Sequence, residues 1–215
     1  MKRRELIKLG GLALAGTAAP PLLSLKHQPT FHFVALGNRG GRILECFDRK
    51  EQSGRYTWVK DQHTNICSVD GLSKIEIRHP YSSDYFTRNR ITDLPDEPLN
   101  VDLSQLSMRT DEHIVVMVEP SCYLSYRVLP EVIAHLQKAE INYHCILGLP
   151  FSFQAEMWHQ ATRLSIGNLG SLNAEFSILS ADSVRSKKEK MKLKEAFDLL
   201  YPAYFETFLA QTQKG

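Results

Sequence analysis

A glycine-rich loop near the start of the chain contains residue types that can bind a phosphate group. Its residues are Gly37, Asn38, Arg39, Gly40 and Gly41. The loop follows an apolar run at 31–36 that is typical of a buried strand, and it precedes the start of a helix at 42–47. Glycines let a ligand approach the backbone closely, and the first N–H groups of a helix attract anions. The pattern indicates a candidate phosphate site, to which Arg39 or Arg42 could add charge. A tight strand-to-helix turn without a ligand explains the same residues equally well.

The spacing of these glycines departs from the common nucleotide-binding motifs. It is not the GxGxxG of dinucleotide-binding loops, and the chain contains no P-loop lysine motif. A Rossmann-type oxidoreductase that binds NAD(P) is nevertheless an alternative, because the loop follows the first strand. Such an enzyme needs an acidic residue at the end of the second strand, where Asp61 is the nearest candidate. Asp61 and His63 could form an acid–base pair, but a polar loop explains them better.

A second stretch, GLPFSFQ at 148–154, places two phenylalanines around one serine. It follows the apolar run Tyr143 to Leu147, which is typical of a buried strand. One interpretation is a loop whose aromatic side chains plug the core beside the strand end. The other is a family motif, which needs support from the rest of the chain.

The bulk composition excludes some classes of function and leaves others open. With 215 residues, of which 43% are hydrophobic, the chain can build one sizeable core. A net charge of +2 gives no reason to expect a nucleic-acid partner. The four cysteines form no CxxC pair, and the eight histidines form no metal-ligand motif. No metal ligand and no catalytic residue is predicted.

The N-terminus, MKRRELIKLGGLALAGTAAPPLLSLK, resembles a twin-arginine export signal. Arg3 and Arg4 precede a glycine- and alanine-rich run that is a poor membrane-spanning helix. Small residues at Gly16 and Ala18 predict a cut before Ala19. Residues 1–29 are therefore a predicted signal or extension, and the protein would be periplasmic or tethered to the membrane or envelope. An ordinary amphipathic lead-in helix, in a cytoplasmic protein, is the alternative.

From residue 30 onward, predicted strands and helices alternate. Strands are predicted at 31–36, 57–60, 74–77, 114–118, 143–147 and 174–179, and a long irregular segment at 78–112. Helices are predicted from about 42, and at 128–139, 155–166 and 190–210. The last helix has one apolar stripe, and Pro202 is expected to kink it; the stripe consists of Leu193, Phe197, Leu200, Tyr204 and Phe208. The alternation predicts an α/β fold with three layers, a doubly wound, mostly parallel sheet covered by helices on both faces.

The order of the motifs carries a family resemblance. FVALGNRGGRILECF at 33–47 is followed by IVVMVEPSCYLSYRVLPEVIAHL at 114–136, by GLPFSFQ at 148–154 and by KLKEAFDLL at 192–200. In this order, over roughly residues 30–210, the chain resembles the N-terminal GTPase domain of the FtsZ and tubulin superfamily. The resemblance implies that the three loops at 37–41, 122–127 and 150–154 cluster at one edge of the sheet. It also implies that the loop at 150–154 lines the ribose side of a nucleotide.

The chain departs from the family pattern at the nucleotide contacts. The family's phosphate loop consists almost entirely of glycine and threonine, whereas CYLSYRV stands at 122–128. Gln154 stands where the family has an acidic residue, Trp158 where it has an arginine, and Tyr201 at the polar position that contacts guanine. The sequence ends at Gly215, before the loop that triggers hydrolysis and before the second domain.

These observations predict a degenerate domain over residues 30–215 that does not hydrolyse GTP. The expected function is protein interaction or scaffolding, through a protein partner or by self-association. GTP binding is expected to be weak or lost, and the residual nucleotide site would consist of the loop at 37–41 together with Gln154. The NAD(P)-binding oxidoreductase is the alternative.

Overall fold

The structure is a computed structural model that describes residues 30–62, 66–78, 101–106, 112–119, 123–185 and 191–212. The predicted signal at 1–29, most of the predicted irregular segment at 78–112, and Cys122 lie outside the described residues. The predicted export of the protein therefore stays a prediction.

Six parallel strands form a single sheet in the order β3-β2-β1-β4-β5-β6. The strands are β1 Thr30–Leu36, β2 Arg55–Asp61, β3 Ser73–Ile77, β4 Glu112–Val118, β5 Tyr143–Leu149 and β6 Phe176–Ser180. The central strands are apolar on both faces, as expected for a parallel sheet that is covered on both sides.

Helices cover both faces of the sheet. They are α1 Gly40–Arg49, α2 Tyr123–Lys138, α3 Glu156–Ser171, α4 Ala181–Arg185 and α5 Leu193–Thr212, with a 3₁₀ turn at Leu103–Gln105. Alternate residues of β1 point to the two faces: Phe33 packs with α1 and α5, and Val34 packs with α2 and α3. The predicted three-layer α/β fold is therefore confirmed.

The core between the sheet and the pair α1 and α5 is aromatic. The ring of Phe33 lies 4.9 Å from that of Phe47 and 5.2 Å from that of Phe208, and Phe47 meets Phe205 edge-on at 5.2 Å. Each fully buried side chain of this size contributes roughly 1.5–3 kcal/mol through removal of apolar surface from water. This packing anchors the long helix α5 across the sheet.

Three predicted features differ from the structure. Helix α2 begins at Tyr123, so the loop predicted at 122–127 is wrong for its described part. The short helix α4 was not predicted, because five residues are too few to display helical periodicity. Leu193, predicted on the buried stripe of α5, is exposed as the first residue of that helix, whereas Phe205 joins the buried stripe instead. A stripe is buried only where the sheet lies beneath the helix, which the sequence alone does not specify.

His32 in β1 is a buried base in the core of the sheet. Its Nε2 atom lies 2.9 Å from the hydroxyl of Thr57, and its Nδ1 atom lies 3.7 Å from a carboxylate oxygen of Glu112. Burial, and to a smaller extent the charge of Arg55, lowers the pKa of His32 to about 4. The folded protein therefore keeps this imidazole neutral at pH values where the unfolded chain protonates it.

This lowered pKa predicts a loss of stability in mild acid. As the pH falls from 6.5 to 4, His32 binds a proton in the unfolded state but not in the folded state. This difference lowers the free energy of unfolding by about 3 kcal/mol. Urea unfolding at pH 7 and pH 4.5 should reveal the loss. In a His32→Gln variant the loss should be much smaller, although the lowered pKa values of His113 and His144 preserve part of it. Equal losses in both proteins would contradict this assignment.

Candidate functional site

Two of the predicted loops and the end of a third strand meet at one edge of the sheet. Strands β1, β4 and β5 are neighbours and run parallel, so their carboxyl ends lie side by side. The glycine loop at 37–41 follows β1, Glu119 follows β4, and the loop at 150–154 follows β5. Ligands of open α/β sheets bind at this edge. We call it the carboxyl edge.

The backbone of Gly37 is already bonded within the protein. Gly37 has a φ of 82°, which favours glycine. Its N–H donates to the carbonyl of Val59 at 2.9 Å, and its carbonyl accepts from the indole N–H of Trp58 at 2.8 Å and from the N–H of Gly40 at 3.0 Å. These bonds fasten the loop to β2, and they leave the N–H of Gly37 no second bond for a phosphate.

Packing accounts for the next two glycines. A Cβ atom at Gly40 would lie 3.0 Å from the carbonyl carbon of Ala35 and 3.1 Å from the indole ring of Trp58. At Gly41 it would lie 3.1 Å from the Cβ atom of Cys67. A side chain at either position would therefore crowd the neighbouring strand or the segment at 66–67. The glycines of the loop are explained without a ligand.

Arg39 spans the carboxyl edge. Its Nη1 atom donates to Oε1 of Glu119 at 2.5 Å, and its guanidinium carbon lies 3.6 Å from the centre of the Phe197 ring. Glu119 is buried, with 5% of its surface exposed, while about a third of the Arg39 side chain remains exposed. The carboxylate compensates the charge of Arg39, and the guanidinium covers one part of the aromatic surface of α5.

The loop at 150–154 closes on itself and plugs the core. Phe151 is fully buried, stacks on Phe153 at 5.1 Å and meets Phe197 edge-on at 5.3 Å. The side-chain oxygen of Gln154 accepts from the N–H of Phe151 at 2.7 Å. The N–H of Ser152 donates to Asp182 in α4 at 3.1 Å. Both interpretations of GLPFSFQ hold in part, because the loop lies at the expected edge while Phe151 plugs the core.

Other residues singled out in the sequence also lie at or near this edge. Arg42 donates to Glu45 within α1 at 2.9 Å. Tyr201 stacks on Phe197 with ring centres 6.2 Å apart, and burial raises the pKa of its hydroxyl. Asp61, on which the NAD(P) alternative depends, is buried at the end of β2. Its burial gives that alternative no support.

Sequence reasoning missed Glu119 and the role of Phe197. Glu119 comes directly after the unbroken apolar strand β4. An acidic residue at the carboxyl end of a central strand is a signal that could have been used. Phe197 was placed on the buried stripe, and only its contact with Arg39 marks it as part of the site. His63 and Cys122 lie outside the described residues.

Two further features were searched for within the described part of the chain. No helix there is both long and apolar enough to cross a bilayer. No group of three or more histidine, cysteine, aspartate or glutamate side chains there could hold a metal ion.

Solved structures with a similar fold include CetZ and FtsZ proteins. CetZ from Methanosaeta thermophila strain DSM 6194 is 14% identical with a TM-score of 0.62, and the match covers 85% of this chain and 54% of that chain. An FtsZ mutant from M. jannaschii is 12% identical with a TM-score of 0.65, and the match covers 84% of this chain and 55% of that chain. CetZ2 from Haloferax volcanii, solved as a GTPγS-bound protofilament, is 12% identical with a TM-score of 0.57. That match covers 81% of this chain and 55% of that chain. The chain has an FtsZ/tubulin-like fold.

The likeness in fold comes with low sequence identity. No protein-family model and no curated protein matches the chain. At 12–14% identity, the FtsZ/tubulin-like fold is what these structures establish for the chain. The chain spans about half the length of the FtsZ and CetZ proteins that it matches.

Proposed function

We propose that this chain is a degenerate FtsZ/tubulin-like domain that acts by protein interaction, including self-association, and does not hydrolyse GTP. The observation that carries the proposal is the contact of Arg39 with Glu119 and Phe197 across the carboxyl edge. In this arrangement the protein's own side chains occupy the edge where a nucleotide would bind.

Displacing Arg39 from the edge has a cost. A planar base that stacked on the covered part of Phe197 would have to move the guanidinium away from Glu119. The buried carboxylate would then lose a charge-assisted hydrogen bond worth roughly 1.5–3 kcal/mol. That cost would be subtracted from the binding free energy of any nucleotide. It supports weak or lost binding of GTP.

The phosphate side of the site supports the same proposal. The segment that matches the family's glycine-rich phosphate loop includes the first turn of α2, and its sequence at 123–127 is YLSYR. Glycine lets backbone N–H groups approach phosphate oxygens closely, and no glycine stands at these positions. Residual nucleotide binding would then depend on Gln154 and on the residues of the loop at 37–41 other than Arg39, whose guanidinium is held by Glu119.

Exposed apolar side chains favour an interaction surface at this edge. Ile66, Phe153 and Leu193 are 70%, 50% and 52% exposed. The carbonyl of Ile66 lies beside Gly41, Phe153 stacks on Phe151, and Leu193 begins α5. An apolar patch formed from such side chains would suit a protein contact. Self-association also agrees with the protofilament described for CetZ2 from Haloferax volcanii.

Sedimentation velocity over a range of protein concentrations tests this function. We expect the average mass to rise with concentration and to be unaffected by GTP. An Ile66→Ser, Leu193→Ser double variant should weaken the association about tenfold or more, because it removes two apolar side chains from the contact. An Ile178→Ser variant is the control, because Ile178 is 51% exposed, close to Leu193, but belongs to the edge strand β6.

Two outcomes would contradict the proposal. An average mass equal to that of the monomer at every protein concentration would contradict self-association. Assembly that requires GTP would contradict the proposed weak or lost binding of GTP.

A further inference from the structure

Three polar side chains share one face of the sheet near the edge where the strands begin. His144 lies in β5, Glu175 directly precedes the neighbouring strand β6, and Ser177 belongs to β6. Ser177 pairs with Ile146, which lies two residues after His144. Side chains two residues apart on a strand point to the same face. The two strands therefore bring a hydroxyl, an imidazole and a carboxylate together.

The hydroxyl of Ser177 contacts two side chains. Its Oγ atom lies 2.9 Å from Nε2 of His144, and it accepts a hydrogen bond of 2.7 Å from Nε2 of Gln211 in α5. A hydroxyl that accepts from Gln211 keeps its own proton available as a donor. Nε2 of His144 is within hydrogen-bond distance to accept that proton.

The imidazole of His144 is suited to act as the base. Its Nδ1 atom lies 3.7 Å from a carboxylate oxygen of Glu175, which favours the tautomer with the proton on Nδ1 and leaves Nε2 as the acceptor. Burial lowers the pKa of His144, so the ring is neutral near pH 7. A serine next to a neutral histidine whose other nitrogen faces a carboxylate is the arrangement used for nucleophilic acyl transfer.

A cavity of about 630 Å³ opens beside these residues. His144, Glu175 and Gln211 line it, and Ser177, which contacts two of them, is itself partly exposed. The side chain of Glu175 is 80% exposed, and no lysine or arginine is found among the described residues that line the cavity. A space of this size accommodates a small molecule, and the carboxylate disfavours an anionic one.

We propose that Ser177 and His144 form a catalytic site that hydrolyses small, uncharged carboxylic esters, an activity separate from the proposed interaction function. Oγ of Ser177 attacks the carbonyl carbon while its proton passes to Nε2 of His144. The imidazolium gives this proton to the departing alkoxide, which leaves as an alcohol. Water, deprotonated by the same nitrogen, then cleaves the acyl-serine and releases the carboxylic acid, and the serine regains a proton from the imidazolium.

Two neighbouring side chains support this reaction. Nε2 of Gln211, 2.7 Å from Oγ of Ser177, is placed to donate to the oxyanion that develops on the attacked carbonyl. Glu175 is a positioning residue, because it acts through the imidazole of His144. The positive charge that the ring acquires during the reaction strengthens its contact with this carboxylate.

Hydrolysis of p-nitrophenyl acetate by the purified full-length protein tests the proposal. We expect saturable release of p-nitrophenol, and Ser177→Ala and His144→Gln should each lower kcat/KM by about a hundredfold or more. Ser180→Ala is the matched control, because Ser180 lies at the other end of β6, and it should leave the rate unchanged. Urea unfolding checks that each variant is folded. No release above the buffer rate, or a rate that Ser177→Ala leaves intact, would overturn the proposal.

Covalent labelling gives a second measurement that does not depend on the choice of ester. A fluorophosphonate probe should react with Oγ of Ser177, forming a phosphorus–oxygen bond as fluoride leaves, and peptide mass spectrometry should locate the label there. His144→Gln keeps the serine but should abolish the labelling, because it removes the base. Labelling confined to other residues, or labelling of Ser177 that persists in His144→Gln, would overturn the proposal.

Glu175→Gln separates positioning from binding. This exposed substitution should lower kcat for p-nitrophenyl acetate about fivefold, as expected for the loss of an exposed charge pair, and leave KM unchanged. A kcat that is insensitive to Glu175→Gln would overturn the role assigned to this carboxylate.

Discussion

Purified protein mixed with GTP and magnesium is expected to release no phosphate above the rate of GTP alone, even at high protein concentration. Losing backbone N–H donors around the phosphates costs about 1.5–3 kcal/mol for each bond to a charged oxygen. Two such losses weaken affinity by a factor of about one hundred or more. The N–H of Gly37 bonds to Val59. The sequence at 123–127 is YLSYR, where the resemblance to FtsZ implies a glycine-rich phosphate loop.

A paired variant isolates the contribution of Arg39 to this result. Replacing Arg39 by alanine and Glu119 by glutamine uncovers Phe197 without leaving an unpaired buried charge. Binding of labelled GTP should then strengthen about tenfold, because the cost of breaking the ion pair is removed. Arg42→Ala is the control, since Arg42 pairs with Glu45 within α1.

The outcomes separate the functional classes. Turnover that increases with protein concentration would show an active GTPase and contradict the proposed function. Tight binding of NAD(P) by the unmodified protein would favour the oxidoreductase instead. Thermal-shift measurements with GTP and NAD(P) give the comparison.

Substitution of Gly148 by alanine is expected to be the most destabilising single-methyl change among the described glycines. Gly148 lies in β5, and a Cβ atom there would lie only 2.0 Å from the hydroxyl oxygen of Tyr204. That hydroxyl is buried and donates to the carbonyl of Val118 at 3.0 Å. Overpacking costs about 1–3 kcal/mol, and breaking a buried hydrogen bond adds about 1–3 kcal/mol. Urea unfolding should therefore show a loss of roughly 2–6 kcal/mol.

Two further variants make this prediction specific. Gly167→Ala, in α3, has no atom within 4 Å of the added methyl group and should be neutral or stabilising by up to about 1 kcal/mol. Gly148→Ala combined with Tyr204→Phe should recover part of the loss. The recovery is partial because the ring carbon Cζ would still lie 2.9 Å from the new methyl group. Equal stabilities of the two alanine variants would contradict the role assigned to Gly148.

Local patterns in the sequence were sufficient to predict the layers of the fold. The apolar run at 114–118 marks a strand buried on both faces, and the 3.6-residue period of α5 marks a helix with one buried stripe. These patterns work because each strand or helix must bury a face of its own. They do not predict α4, which is one turn long, or the residue at which α2 begins.

Local sequence was enough to place a glycine loop after the first strand and a Pro-Phe loop after the fifth. The tertiary structure alone decided what these loops contact. Arg39 meets Glu119, which is 80 residues away, and Phe197 in the last helix. Trp58 comes from another strand to hold Gly37. Such contacts depend on strand order and on the distance between helix and sheet, and no local periodicity records either quantity.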